Sequence, residues 1–283
     1  MTPEAYWRTL KKNHPDLSEQ EYWFLLCDVW GCSRAHLIGK EISTVEWASI
    51  TSKIERLAQG EPLAYILGYV DFLDCSYQVS KDVLVPRSDT EWWMATLLQQ
   101  WGERDHPAHI LDLGTGSGVL LLSALRHFPQ AKGLGVDIDP GACALAYRNA
   151  KALQLTDRAS FVESHWLTNV SGTFDLVLCN PPYIAHDDEE VEWRAKHYEP
   201  AHALFAEQQG MEAFVEILAT LTVFLKPSAY VVFECGHLQA QAVRQLMIQA
   251  GCNGVDILHD GAGHQRALMG RWGLHGNEFF PMA

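Results

Sequence analysis

Hydrophobic positions along residues 1–62 recur at helical spacing. Tyr22, Leu25, Leu26 and Val29 fall on one face of a segment spanning 18–30, and comparable patterns cover 3–12, 33–39 and 43–59. Ser18 with Glu21, and Ser43 with Glu46, have capping-box spacing, and Gly31, Gly39 and Gly60 punctuate helix ends. Short helices on short links predict a small helical bundle over 1–62. Residues 63–90 change texture. Tyr65, Ile66, Leu67, Tyr69, Val70 and Phe72 form one β-rich run, and Tyr77, Val79, Val83, Leu84 and Val85 a second. Asp71, Asp74 and Ser76 supply turn formers, so this stretch reads as a β-hairpin linker.

Over 91–283 the pattern alternates. Strands are expected at 109–113, 133–137, 159–163, 174–179, 229–235, 253–259 and 265–271. Helices are expected at 91–101, 117–127, 140–153, 209–225 and 237–250. That order predicts an α/β domain, a mostly parallel seven-stranded sheet with helices on both faces. Gly261 and Gly263 replace a helix between the last two strands, which should therefore pair antiparallel.

Composition narrows the class. Hydrophobic residues make up 48% of the 283, enough for a sizeable core. No stretch approaches the roughly 18 apolar residues of a membrane span. The opening MTPEAYWRTLKKNHPDL lacks the basic-then-apolar order of a signal peptide, so a cytoplasmic protein without membrane contact is expected. Net charge is −14, of which −2 lies in 1–62 and −12 in 63–283. Without a basic stripe, such a surface disfavours nucleic acid as a direct substrate. Seven cysteines without a CxxC pair and 13 histidines without ligand spacing imply no metal.

Three segments carry chemistry. In Ile110–Gly118 (ILDLGTGSG) a strand runs into three glycines and then a helix, a turn that lets backbone approach a ligand. A tight βα turn, a dinucleotide site and an S-adenosylmethionine (SAM) site all fit it; GxGxG rather than GxGxxG, with Asp112 just before, favours SAM. Asp137 ends the next strand, where a carboxylate can accept both ribose hydroxyls, while Asp139 before Pro140 fits a helix cap. The third segment decides between the readings. Asn180-Pro181-Pro182-Tyr183 ends an apolar strand at the carboxyl edge of the sheet. The Asn180 amide oxygen and the Pro181 carbonyl can accept both hydrogens of a planar –NH2, and Tyr183 can pack on its flat face.

The chain then resembles a known family. Gly60-Glu-Pro-Leu-Ala-Tyr65, Val85-Pro-Arg-Ser-Asp-Thr-Glu91, LDLGTGSG, VDIDP, NPPYI, Tyr198-Glu-Pro200 and Arg266-Ala-Leu-Met-Gly-Arg271 look like the release-factor glutamine methyltransferases, the HemK/PrmC family. The resemblance spans nearly the whole chain and implies a class I, Rossmann-like SAM-dependent methyltransferase fold. It implies methyl transfer from SAM to the side-chain amide of the Gln in the GGQ loop of peptide-chain release factors, giving N5-methylglutamine, by a monomer. It assigns cofactor binding to Gly114, Thr115, Gly116, Ser117, Gly118, Asp137, Trp166 and Asn180. It assigns substrate binding and catalysis to Asn180, Pro181, Pro182 and Tyr183. His165 stands where family members usually carry an acid before the Trp, and Ser88 where a proline is usual, as in the sister enzymes that methylate a ribosomal protein. Alternatives are that ribosomal-protein activity and, with the acidic surface against it, adenine-N6 methylation of nucleic acid. A non-enzymatic binding module would need a broken glycine loop or NPPY, and both are intact. The acidic run Asp187–Glu192, just past the motif, is expected to steer a basic protein loop and repel phosphate. The helices of 1–62 are expected to recognise the protein partner.

Overall fold

The computed structural model describes residues 1–102, 106–189 and 191–273. Helices α1 (Pro3–Asn13), α2 (Glu19–Trp30), α3 (Arg34–Leu37), α4 (Thr44–Ala58) and α5 (Leu63–Leu67) come first, then strands β1 (Tyr69–Phe72) and β2 (Cys75–Gln78). The alternating part runs α6 (Ser88–Gln99), β3 (His109–Leu113), α7 (Val119–His127), β4 (Lys132–Asp137), α8 (Pro140–Ala152), β5 (Ala159–Glu163) and β6 (Phe174–Cys179). Short elements follow: β7 (Ile184–Ala185), α9 (Trp193–Tyr198), α10 (Ala201–Leu204), β8 (Phe205–Ala206) and the single turn α11 (Glu207–Gly210). The chain closes with α12 (Glu212–Thr220), a 3-10 turn at Leu221–Phe224, β9 (Leu225–Glu234), α13 (Ala240–Gln249), β10 (Cys252–His259) and β11 (Gln265–Trp272).

Two compact units result. The first comprises Met1–Tyr69 with α9, and the second Val70–Glu192 with the residues from Glu199 on. In the first, Tyr22, Leu25, Leu26, Ile50, Ile54 and Leu57 form a fully buried core. The Ser43–Glu46 capping box closes in both directions. Ser18 accepts only the Glu21 N–H, because the Glu21 carboxylate is held by Arg194 Nη1 of α9 at 2.7 and 2.9 Å. Gly60, at φ +92°, lies so close to Trp193 that a Cβ there would sit 2.8 Å from the indole ring.

The β-hairpin expectation needs correction at both ends. Tyr65–Leu67 is helical, in one turn started at Pro62 and stopped by left-handed Gly68. A short apolar run has no period that separates a buried turn of helix from a strand. Val79–Val85 is not a strand either, since Val83 N–H bonds back to Ser80 C=O in a turn. The expected helix over 209–225 breaks into α11, α12 and the 3-10 turn, because Gln208 and Gln209 take left-handed dihedrals.

The second unit carries a seven-stranded sheet in the order β10-β11-β9-β6-β3-β4-β5. β10 pairs antiparallel with β11 and β11 with β9, while the other pairings are parallel. Central strand β6 is buried on both faces. Leu176 and Leu178 join one core with Trp93 and Leu97 of α6 and Leu121 of α7. Val177 and Cys179 join the other with Phe214 of α12 and Val243 of α13. From β3 the chain winds through β4 and β5 on one side, then returns to place β6 on the other side of β3. That reversal is the switch point where open α/β sheets form a crevice at their carboxyl ends.

Candidate active site

Register brings the motifs together. Leu113 pairs with Cys179, so the residues after each, Gly114 and Asn180, emerge side by side. A Cβ on Gly114 would lie 3.8 Å from the Asn180 carbonyl oxygen and 3.6 Å from the Trp166 ring. The next strands end in Asp137 and in the Ser164–Trp166 turn. Together they border a cavity.

Of the residues the sequence singles out, Gly114, Thr115, Gly116, Ser117, Asp137, Trp166, Asn180 and Pro182 line this cavity. Gly118, Pro181 and Tyr183 do not. Gly118 (φ +83°) starts α7 against Ala146 of α8, where a Cβ would meet the Ala146 methyl at 3.2 Å. Pro181 is buried, and the Tyr183 hydroxyl donates to Glu234 Oε1 at 3.1 Å. Arg87 and Glu91 also lie outside the cavity: Arg87 pairs with Glu199 at 2.6 Å, and Glu91 accepts the Leu73 N–H at 2.7 Å. Glu190 of the acidic run and the tail after Gly273 lie outside the described residues.

The glycine loop is held from beneath. Thr115 Oγ1 donates to Asp112 Oδ2 at 2.7 Å, and Asn149 Nδ2 donates to the Ser117 carbonyl at 2.8 Å. Asp112 is fully buried, which pushes its carboxyl up to about 7 against the pull of Thr115 and the Leu121 N–H. The folded form therefore binds a proton the unfolded form, near 3.8, has released, and folding stability should fall as pH rises from that value to about 7. Asp112→Asn should abolish this dependence. Its stability relative to wild type should rise through that window by at most about 1.4 kcal/mol per pH unit, read from urea unfolding at each pH. Parallel pH profiles for the two chains would contradict the burial argument.

Asp137 accepts Gly116 N–H on Oδ2 at 2.9 Å and Asp139 N–H on Oδ1 at 3.0 Å. Burial raises its pKa, and these two donors oppose the rise. Each oxygen keeps a lone pair for a further donor, which suits a vicinal diol. Asp139 instead caps α8 through Gly141 N–H. Trp166, with φ +45°, is fixed by Glu216, which accepts its indole N–H at 3.0 Å; His165 Nε2 lies 3.7 Å from the same carboxylate. An acceptor pair for a diol, a flat apolar wall and a backbone loop with room at Gly116, where a Cβ meets nothing within 4 Å, fit an adenosyl group.

His165, singled out beside Trp166, lines the cavity too, whereas sequence reasoning missed Asp82, Thr90, His202 and Ala203 as cavity residues. Their positions depend on how the linker and α10 fold over the sheet, which no local pattern encodes. It also missed Gly210 (φ +82°). A Cβ there would sit 2.0 Å from the Tyr183 carbonyl oxygen, which already accepts Gln239 Nε2 at 2.8 Å. Gly210→Ala must displace the NPPY backbone and should destabilise the chain by about 2 kcal/mol. An unchanged urea midpoint would show that the loop yields freely.

The sequence matches the PrmC N-terminal domain family over residues 6–68 and the Methyltransferase small domain family over 93–209. A release factor glutamine methyltransferase of Francisella tularensis subsp. tularensis is 36% identical, with 87% of this chain and 88% of the relative aligned. Relatives of the same name from Caulobacter vibrioides and Haemophilus influenzae are 37% identical (82% and 80% covered) and 33% identical (93% and 94%). Among solved structures, a methyltransferase from Pyrococcus furiosus superposes with a TM-score of 0.53 at 16% identity, covering 80% of this chain and 100% of the other. The hMettl16 catalytic domain bound to a MAT2A 3'UTR hairpin gives 0.55 at 17%, covering 72% and 77%. The fold is thus that of the methyltransferases. Among the described residues, no helix is long and apolar enough to cross a membrane.

Proposed function

The chain belongs to the release factor glutamine methyltransferase family, and on that premise we propose how its own residues carry the reaction. The enzyme methylates the side-chain amide of a release-factor glutamine. In our reading the glutamine is that of the GGQ loop, the product is N5-methylglutamine and the donor is SAM. One observation carries the reading: β3–β6 register sets the glycine loop beside Asn180, with Asp137 on the next strand. Asp137 would accept the ribose hydroxyls, Trp166 would flank the adenine, and residues 114–117 would face the methionine end. When bound, SAM supplies an electrophilic methyl group.

An amide nitrogen is a poor nucleophile because its lone pair is delocalised into the carbonyl. Asn180 Oδ1 and the Pro181 carbonyl are proposed to accept its two hydrogens, which shifts electron density onto nitrogen and holds it in line with the methyl. Positioning of this kind can contribute several kcal/mol, and fixed acceptors stabilise the positive charge that develops. The amide nitrogen forms the new N–C bond, the C–S bond of the donor breaks, and the nitrogen proton, acidic once the methyl arrives, leaves to water. No strong general base is required. Tyr183, behind the cavity wall, is anchored on Glu234.

The helical unit, with α9 packed into it, is proposed to recognise the release factor. The exposed acids Asp187, Glu189 and Glu192 are proposed to steer its basic flanks. The test offers SAM carrying a labelled methyl together with a release factor, ribosomes and DNA. The reading expects label in the release factor. Label confined to ribosomal protein or to DNA would replace it with the corresponding alternative.

A further inference from the structure

Behind Asn180 lies a buried polar cluster that the reaction above does not use. Glu234, the last residue of β9, is 1% exposed. Its Oε2 accepts Thr90 Oγ1 and Trp93 Nε1, both at 2.7 Å, and its Oε1 accepts the Tyr183 hydroxyl. Thr90, 2% exposed on α6, reaches the cavity wall, and Asn180 Nδ2 lies 3.5 Å from its Oγ1.

The direction of these bonds follows from the inventory of protons. A hydroxyl has one proton, and Thr90 Oγ1 spends it on Glu234 Oε2. Burial raises the Glu234 pKa, and its three donors and Arg266 oppose the rise. Thr90's proton is therefore committed to Glu234, and its oxygen can only accept from Asn180. Asn180 satisfies it with its NH2 inward, which leaves Oδ1 toward the cavity. The opposite flip would set two oxygens face to face with no proton between them, and would offer the substrate's N–H groups a donor where they need an acceptor.

We propose that Glu234, acting through Thr90, is a positioning pair that fixes the flip of the Asn180 amide so that it meets the substrate as a hydrogen-bond acceptor. The inference rests on the proposed role of Asn180 in holding the substrate amide.

Thr90→Val keeps shape but leaves the inward NH2 without a partner in a buried place, so the productive flip becomes the costly one. Turnover of full-length enzyme on an intact release factor should fall about ten- to hundredfold, the range expected from an unsatisfied buried donor. The loss should fall chiefly on kcat, with KM for the release factor and calorimetric SAM affinity changed much less, because charge on the substrate nitrogen grows only as the methyl arrives. Thr90→Ser restores the oxygen and should recover turnover to within about threefold. Glu234→Gln should also be mild, because its carbonyl can take Thr90 and Trp93 while its NH2 faces the Tyr183 oxygen. The Asn180 side-chain 15N–1H resonances, assigned by their loss in Asn180→Ala, should move in Thr90→Val and stay near wild type in Thr90→Ser. Thr90→Ala read by the same measurements decides the matter if the valine variant does not fold. The proposal is overturned if turnover without the hydroxyl matches wild type, if the serine variant is as impaired as the valine one, or if the resonances ignore the hydroxyl. Wild-type enzyme that leaves the release factor unmodified would refute the functional reading instead, and the resonances would still report whether Thr90 holds the amide.

Discussion

Asn180→Ala should lose about 3–4 kcal/mol of transition-state stabilisation, several hundredfold in kcat, if its amide oxygen matters as much as one fixed donor in an oxyanion hole. The loss belongs chiefly in kcat, because charge on the substrate nitrogen grows only as the methyl arrives. Stability should change little. The side chain makes one long contact, to Thr90 at 3.5 Å, and the two prolines after it hold the backbone regardless. Steady-state kinetics beside a urea unfolding curve separates the two effects. Near-normal turnover in a folded mutant would mean that the substrate amide is held by other acceptors.

Asp137→Ala should weaken SAM binding by about 3 kcal/mol or more, over a hundredfold in Kd, because two charge-assisted hydrogen bonds to the ribose are lost. The same carboxylate fixes Gly116 and Asp139 through their N–H groups, so its removal also loosens the loop. Asp137→Asn keeps one acceptor oxygen and should fall between the two. Titration calorimetry reads the affinity directly, and an unchanged Kd in the alanine variant would remove Asp137 from the cofactor site.

How much of this could be read in the sequence depended on whether the signal was local. Strand β3, β5 and β6 bounds match their expected spans residue for residue, because polar or turn-forming residues flank each run of strand formers. The glycine loop, Asp137, Trp166 and Asn180 meet in one cavity because a doubly wound sheet sends successive strand ends to one edge. Tyr65–Leu67 was misread because a single turn is too short for a period that separates helix from strand. Trp193–Tyr198 joins the helical unit from far along the chain, through Arg194 to Glu21 and Trp193 against Gly60, and nothing in its six residues signals that. Glu234 did leave a trace, a single acid ending the long apolar strand β9. Its three donors come from α6 and from the segment after β6, so its partners appear only once the sheet is assembled.

The central claim is that the pocket at Asn180 methylates one glutamine amide. It is tested most directly by fragment mass spectrometry of a release factor incubated with this enzyme and SAM. The account predicts a gain of one CH2 unit on the glutamine of the GGQ loop, absent when that glutamine is replaced by alanine and absent with the Asn180→Ala enzyme. A release factor that gains no mass, or gains it on another residue, would contradict it.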